Sequence, residues 1–196
     1  GAWQAHPSQA SEFEMIAGVP RELGTQDRLF RNEGVAPNGM PKLVEVTRSA
    51  GIKIAREHGL AAVWWDYDND GWPDLYVSND FHTPDHLYRN NRDGTFTEVT
   101  GDALPYTSWS SMGSDFADIN NDGWFDYLST DMSATTHFKQ KTMMGAMTDT
   151  AWFLDHLEPR QYMRNALYLN SGTWKFNEGA YLAGLADSDW TWAVKL

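Results

Sequence analysis

Two short acidic segments carry the residues whose types and spacing point most directly to chemistry. Residues 66–74 read DYDNDGWPD and residues 118–126 read DINNDGWFD. In each segment, positions 1, 3 and 5 hold Asp or Asn, whose side chains offer oxygen ligands. Position 6 is a glycine, and a further Asp follows at position 9. Such a loop can curl around a cation, because the glycine permits a sharp reversal of the chain. Ligands that are all oxygen favour Ca²⁺ over zinc, which prefers imidazole or thiolate, and over Mg²⁺, which keeps more water.

The sequence therefore predicts two calcium sites. The predicted ligands of the first site are Asp66, Asp68, Asp70, the Trp72 carbonyl and Asp74, and those of the second are Asp118, Asn120, Asp122, the Trp124 carbonyl and Asp126. Neither loop is an EF-hand, because position 12 holds Val77 or Ser129 instead of a bidentate Glu. The alternative is a pair of metal-free acidic turns, since Asp, Asn and Gly are ordinary turn residues. Two matching copies of crowded oxygen ligands favour the metal, because such groups repel one another without it.

The elements that must position these loops also repeat. Each acidic segment is followed by a short apolar run, a Leu-aromatic-x-Asn segment, a turn and a Phe-x-Glu segment. The Leu-aromatic-x-Asn and Phe-x-Glu pieces are residues 86–90 (HLYRN), 96–98 (FTE), 166–170 (ALYLN) and 176–178 (FNE). Short runs rich in aromatic and β-branched residues, bounded by Gly, Asn and Asp, are typical of antiparallel strands. We expect an all-β fold with β-propeller-type blades of four short antiparallel strands, in an incomplete propeller.

The repeats divide the chain into five parts. These are residues 1–26, the tail of an insertion from an upstream blade; 27–58, a partial blade; 59–111, a full blade with a calcium loop; 112–186, a blade with a calcium loop and a partly helical insertion at 132–164; and 187–196, the first strand of a next blade. Trp109 precedes Asp118 by nine residues, and Trp190 is its expected counterpart one repeat later, so a further acidic loop is expected at about position 199. We therefore expect these residues to belong to a longer polypeptide, or to an assembly in which neighbouring chains supply the missing strands.

Composition excludes several classes of function. The chain has 27 Asp and Glu against 15 Lys and Arg, a formal net charge of −12, which disfavours nucleic acids and anionic membrane surfaces as partners. It lacks an apolar stretch of the ~20 residues that a membrane-spanning helix needs. With no cysteine among its 196 residues, it can form no disulfide, thiolate zinc site or cysteine nucleophile.

Two other groups of residues are of types that can form chemical sites. His82, Asp85 and His86 place two imidazoles four residues apart, but Pro84 between them predicts a solvated loop in place of a metal-binding helix face. The serine-rich segment 107–111 has no nucleophile elbow and no partner base, and predicts a connecting loop between blades. Every close pair of Asp residues belongs to a predicted metal loop, so no enzymatic activity is expected.

The tryptophans suggest an alternative function, because exposed aromatic rings can stack on sugars. Trp64, Trp65, Trp72 and Trp124 stand at fixed offsets from the acidic segments and are expected to pack between blades or over the metal loops. The better sugar-binding candidates are Trp109, Trp152 and Trp174. The alternative is thus a carbohydrate-binding, lectin-like propeller or a non-catalytic part of a polysaccharide-active enzyme.

The repeated motifs resemble those of a known family. The pattern DxDxDGxxDL, the Leu-Tyr-x-Asn segment and residues 94–100 (GTFTEVT) resemble FG-GAP/VCBS repeats, the calcium-binding propeller blades of integrin α chains. Residues 164–170 (RNALYLN) and 189–192 (DWTW) are similar to the bacterial, ASPIC/UnbV-associated relatives of cartilage acidic protein. The resemblance implies a seven-bladed or similar propeller in an extracellular, cell-surface or periplasmic location. It also implies a non-catalytic role in adhesion, matrix contact or structural assembly, with a protein or polysaccharide as partner.

Overall fold

A computed structural model of the chain describes residues 13–16, 19–80, 83–143 and 159–196. Within these ranges the chain forms mainly short strands and three short helices, and its main sheets are antiparallel. The expected all-β fold is confirmed, whereas closure of a propeller ring stays a prediction. Among the described residues, no helix is long and apolar enough to cross a bilayer.

The N-terminal part consists of paired short strands. Antiparallel pairing joins β1 to β2, β4 to β5, and β3 to β6. The strands are β1 (Phe13–Ile16), β2 (Val19–Glu22), β3 (Thr25–Gln26), β4 (Phe30–Val35), β5 (Pro41–Glu45) and β6 (Arg56–Glu57). The β3–β6 pair connects this part to the start of the next sheet, because β6 leads directly into it.

The first four-stranded sheet contains the first acidic segment in the connection between its first two strands. Its strands are β7 (Gly59–Trp65), β8 (Asp74–Asn79), β9 (His86–Asn90) and β10 (Phe96–Glu98), hydrogen-bonded in chain order. The β9–β10 turn follows the Asp-Gly signal: Arg92 and Gly94 have φ of 67° and 87°, the left-handed region that tight hairpins require. Strand β8 is buried along its whole length, as expected for a central strand.

The second four-stranded sheet repeats this arrangement around an insertion. After α1 (Thr100–Ala103) and β11 (Thr107–Ser108), the elements are β12 (Gly113–Ala117), β13 (Asp126–Thr130), β14 (Met132–Ser133), α2 (His137–Met143), β15 (Gln161–Tyr162), β16 (Ala166–Asn170), β17 (Phe176–Glu178), α3 (Ala180–Ala183) and β18 (Asp189–Trp190). The sheet order is β12-β13-β16-β17, while β14 pairs with β18 and β11 with β15. Helix α2 lies where the partly helical insertion is predicted, and residues 144–158 of that insertion lie outside the described ranges.

The core between the two sheets is largely aromatic. Trp65 of the first sheet stacks on Tyr127 of the second, with ring centroids 4.8 Å apart and planes 12° from parallel. The ring centroid of Tyr76 lies 4.3 Å from that of the same Tyr127. Each such ring removes roughly 150–250 Å² from water, so these aromatic side chains stabilise the packing of one sheet against the other.

The first strands of the two sheets contact each other. Strand β12 contacts β7, and the segment 192–196 also packs against β12. The Leu196 amide donates to Asp115 Oδ2 at 2.9 Å, and a Cβ placed on Gly113 would lie 2.7 Å from the Trp192 carbonyl oxygen. Each acidic loop follows the first strand of its sheet, β7 or β12.

Candidate metal centre

The first acidic loop is shaped by hydrogen bonds between its own carboxylates and its own backbone. Asp70 N and Gly71 N donate to the two oxygens of Asp66 at 2.9 and 2.8 Å, and Trp72 N donates to Asp70 Oδ1 at 2.9 Å. The reversal uses positive φ at Asn69 (55°) and Gly71 (86°), where Asn and Gly are the best-tolerated residues. The local sequence is thus enough to form the curl.

The second acidic loop repeats this geometry. Asp122 N and Gly123 N donate to the two oxygens of Asp118 at 3.0 and 2.9 Å, and Trp124 N donates to Asp122 Oδ1 at 2.9 Å. Asn121 and Gly123 have φ of 59° and 89°. The two loops therefore share one backbone design.

The closing acid of each loop, Asp74 or Asp126, ties the loop to the third strand of its sheet. Asp74 accepts hydrogen bonds from Tyr67 N at 3.0 Å and from Asn90 N, at the end of β9, at 2.7 Å. Asp126 does the same with Ile119 N at 3.1 Å and Asn170 N, at the end of β16, at 2.8 Å. This structural role was not predicted from the sequence, although Asn90 and Asn170 are the Asn residues of the repeated Leu-aromatic-x-Asn segment.

Three carboxylates of the first loop converge. One oxygen from each of Asp66, Asp68 and Asp74 lies within 4.8 Å of the others. Asp68 Oδ1 is buried and has no hydrogen-bond partner in the described part of the chain. Burial, with repulsion from Asp70 and Asp66, raises the pKa of Asp68; burial raises the pKa of Asp74 to about 7. A crowded, partly unpaired set of hard oxygen ligands fits Ca²⁺, which would neutralise the repulsion.

Asp70 differs from the other predicted ligands of its loop. Its Oδ2 lies 2.8 Å from Arg92 Nε and 2.7 Å from a terminal nitrogen of the same guanidinium. Its Oδ1 accepts the Trp72 amide. The structure therefore places Asp70 in an ion pair with the β9–β10 turn, beside the three-carboxylate cluster.

The second loop has fewer charges for a cation. Asn120 stands where the first loop has Asp68, and its side-chain amide donates to Asp122 Oδ2 at 2.9 Å. Asn120 Oδ1 in turn accepts the Asp122 amide at 3.0 Å. Among the described residues, the cluster of three acidic or imidazole side chains belongs to the first loop alone. The loop geometry is thus conserved between the copies, while the charge that favours a metal is concentrated in the first.

The two predicted carbonyl ligands lie in different surroundings. Trp72 is 47% exposed. Trp124 packs against Gly172 of the β16–β17 turn, where an added Cβ would lie 2.6 Å from the indole ring. A side chain at position 172 would therefore clash with the Trp124 ring.

The two loops contact each other. Asn69 Nδ2 donates to the Gly123 carbonyl oxygen at 3.2 Å, and Asn170 Nδ2 donates to the Tyr67 carbonyl oxygen at 2.6 Å. Neither Asn was among the predicted site residues. The recurrence of Asn at the end of the Leu-aromatic-x-Asn segment was the signal that could have identified Asn170.

Part of the chain matches a known family of repeats. Residues 66–129 match the family model of the FG-GAP-like repeat. The matched FG-GAP-like segment starts at the first predicted ligand and includes both acidic loops. No curated protein matches the chain. The match supports the FG-GAP part of the resemblance, while the closer relation to ASPIC/UnbV-associated proteins stays a prediction.

The expectation of a solvated loop at residues 82–86 of the FG-GAP-like segment is wrong for Asp85 and His86. Asp85 is fully buried and accepts hydrogen bonds from the Tyr76 hydroxyl at 2.6 Å and Asn79 N at 2.8 Å. His86 begins β9 and is buried, with Nε2 2.8 Å from Glu57 Oε2. The error arises because these partners come from other strands, which Pro84 does not reveal. His82 lies outside the described residues.

The tryptophans only partly follow expectation. Trp109 is wrong as a sugar-stacking candidate, because it is 5% exposed. Trp174 is 55% exposed, and Trp152 lies outside the described residues. Trp65 packs between the sheets as expected, but Trp64, the neighbouring residue on β7, points to the other face and is 45% exposed.

Proposed function

We propose that the chain is a calcium-binding repeat segment that provides a non-catalytic surface for adhesion, matrix contact or structural assembly outside the cell. The observation that carries the proposal is the convergence of Asp66, Asp68 and Asp74, with one buried Asp68 oxygen lacking a hydrogen-bond partner among the described residues. A buried polar atom of this kind costs free energy unless a ligand satisfies it.

Asp66, Asp68 and Asp74 would hold the first ion. The ion would supply positive charge where three carboxylates meet, and it would link the end of β7 to the start of β8. Asp118, Asn120, Asp122 and Asp126 would hold a second ion on the same backbone design. We expect the second site to be weaker, because fewer carboxylates lower the affinity of a calcium loop.

An extracellular, cell-surface or periplasmic location follows from the kind of site proposed. Extracellular calcium modules work at affinities of ~10⁻⁴–10⁻³ M, where the ion is abundant. A chain without cysteine gains no stability from disulfides there, so bound cations would take over part of that role.

A propeller-type arrangement of the repeats is part of the proposal. Its support is the lateral packing of β7, β12 and the segment 192–196, since inner strands that lie side by side around an axis are the geometry of propeller blades. A non-catalytic role is supported by the use of buried acids as acceptors for backbone amides: Asp131, for example, accepts from Trp109 N at 2.7 Å.

Isothermal titration of the metal-free chain with Ca²⁺ tests the calcium proposal. The expected result is saturable binding in the wild type and loss of the tighter site in Asp68→Ala. Asp102→Ala, which removes an exposed acid of α1, should bind as the wild type does. Absence of binding at millimolar Ca²⁺, or equal effects of the two substitutions, would refute the site.

A bead-aggregation assay tests the surface role. Beads coated with the chain should cluster with each other, or adhere to a matrix protein or polysaccharide layer, in Ca²⁺ and not in chelator. Beads coated with Asp68→Ala should behave as the wild type does in chelator. Adhesion that is independent of both calcium and the substitution would contradict a calcium-dependent adhesive role.

A further inference from the structure

A second candidate site lies away from the acidic loops. A cavity of about 340 Å³ opens between the residues preceding the first sheet and the outer face of β7 and β8. Its lining includes Asp27, Lys53, Glu57, Trp64 and Leu75. None of the residues that line it is a predicted metal ligand, so this cavity needs an explanation of its own.

Asp27 presents an unpaired carboxylate to the cavity. The side chain is partly buried, and it accepts no hydrogen bond from the described residues. The carboxylate lies directly over Gly59, where a Cβ would be 2.8 Å from Asp27 Oδ1. Burial and the nearby charge of Glu57 raise the pKa of Asp27, while His86 lowers it. A carboxylate in this setting lacks donors that a ligand could provide.

Lys53 presents a donor to the same cavity. Its Nζ donates to Glu57 Oε1 at 2.7 Å, and the other oxygen of Glu57 lies 2.8 Å from His86 Nε2. Both carboxylate oxygens of Glu57 therefore have a partner. The ammonium group of Lys53, on a half-exposed side chain, has three N–H donors, of which Glu57 uses one. The cavity thus combines one unpaired acceptor with one donor that has capacity left.

Trp64 supplies an aromatic wall. Its ring is nearly half exposed and is held edge-on by Phe96, with centroids 5.8 Å apart and planes at 62°. Leu75 and Val77 of β8 add an apolar floor. An indole face beside hydrogen-bonding groups matches a ligand that has one apolar and one polar side.

We propose that this cavity binds one or two rings of a carbohydrate, with the apolar face of a sugar ring against Trp64, hydroxyl groups donating to Asp27, and Lys53 donating to a ring substituent. Other ligand chemistries fit less well. The Asp27 carboxylate would repel a small anion, and Lys53 and Arg28 would repel a small cation. A purely apolar ligand would leave Asp27 desolvated and unpaired. The volume is at the lower end of the range for small-molecule sites, which suits a short saccharide.

The test is a glycan array followed by saturation-transfer NMR with the sugars that bind, on the 196-residue chain in millimolar Ca²⁺. Asp27→Asn and Trp64→Ala should each weaken sugar binding at least ~10-fold. Trp192→Ala is the matched control, because it removes an exposed indole that is not among the residues lining the cavity, and it should bind as the wild type does. Trp64→Phe, which keeps an aromatic face, should retain part of the affinity and guards against loss of folding in Trp64→Ala.

Three outcomes would overturn the proposal. The first is that the folded wild type binds no glycan, and the second is that Trp64→Ala, folded by its melting curve, binds as well as the wild type. The third is that n-butylammonium binds in an Asp27-dependent way while sugars do not, which would make this an amine site. Asp68→Ala separates this proposal from the calcium proposal, because it should lose calcium and keep sugar binding.

Discussion

The side-chain amide of Asn170 donates a 2.6 Å hydrogen bond to the backbone carbonyl oxygen of Tyr67. Tyr67 lies in the first acidic loop, while the backbone amide of Asn170 donates to Asp126, the closing acid of the second loop. One residue at the end of β16 therefore links both candidate metal loops. Because the bond is buried, water cannot replace it.

Removal of this link should destabilise the protein. Asn170→Ala leaves the Tyr67 carbonyl buried without its donor, so the free energy of unfolding should fall by ~1–3 kcal/mol in urea denaturation. Asn90→Ala is the matched control. The side-chain oxygen of Asn90 accepts a turn amide, as that of Asn170 does, but its Nδ2 donates to the exposed Pro73 carbonyl at 2.9 Å. Equal losses of unfolding free energy in the two variants would show that the link between the loops adds no stability beyond that of the turn contact.

Calcium should reverse the effect of substituting Asp68. In chelator, Asp68→Ala should be neutral or stabilising, because it relieves repulsion in the cluster. In calcium at ~100 times the dissociation constant, the wild type should gain ~2.7 kcal/mol that the variant lacks. Calorimetric melting in both conditions measures this, with Asn120→Ala as the counterpart in the second loop. A destabilisation of Asp68→Ala that is the same with and without calcium would contradict a metal role.

The stacked pair Trp65 and Tyr127 should dominate the contact between the sheets. Trp65→Ala should lower the free energy of unfolding by ~3–5 kcal/mol, because it removes a buried ring and leaves a cavity. A double-mutant cycle with Tyr127→Ala should give a coupling of ~0.5–1.5 kcal/mol. Trp72→Ala, on an exposed ring, should change stability much less. A coupling near zero would mean that the rings contribute only through their separate burial.

Gly113 should not tolerate a side chain. A Cβ there would lie 2.7 Å from the Trp192 carbonyl oxygen and 2.9 Å from Ala193 Cα, so backbone must move and Gly113→Ala should cost ~1–3 kcal/mol. Gly101→Ala is the control, because a Cβ on Gly101 meets no atom within 4 Å and alanine favours the helix. Chemical denaturation distinguishes the two, and a neutral Gly113→Ala would show that 192–196 does not pack on β12 in solution.

Stability should fall as the pH rises past neutrality, because of the buried pair His86 and Glu57. Burial alone lowers the pKa of His86, but the hydrogen bond to Glu57 and the Glu98 carboxylate 3.6 Å from Nδ1 outweigh it and raise that pKa to about 9. A raised histidine pKa stabilises the fold fully below the ordinary value near ~6.5, and this contribution disappears as the pH rises through ~9. The loss should be at most ~3 kcal/mol.

Urea denaturation between pH 6 and pH 10 measures this effect. His86→Gln should flatten the fall in stability, whereas His137→Gln, on exposed α2, should leave it unchanged. Parallel pH profiles for the wild type and His86→Gln would show that another group causes the fall.

The parts of the molecule that the sequence predicts are those set by neighbouring residues. The curl of each acidic loop depends on the hydrogen bonds that its first acid, Asp66 or Asp118, accepts from the amides four and five residues later. The β9–β10 hairpin depends on its own Asp-Gly turn. Alternating and apolar runs likewise predict short antiparallel strands. Such features are visible in a sequence because their energies depend on local geometry.

Tertiary structure alone decides what those elements meet. The ion pair of Asp70 with Arg92 spans 22 residues, the contact of His86 with Glu57 spans 29, and the link from Asn170 to Tyr67 spans 103. The burial of Trp109 and the exposure of Trp64 also depend on which sheet face meets another. Pairings over such distances are selected by the packing of whole sheets, and no periodicity or spacing in a single sequence encodes which partner a polar group will find.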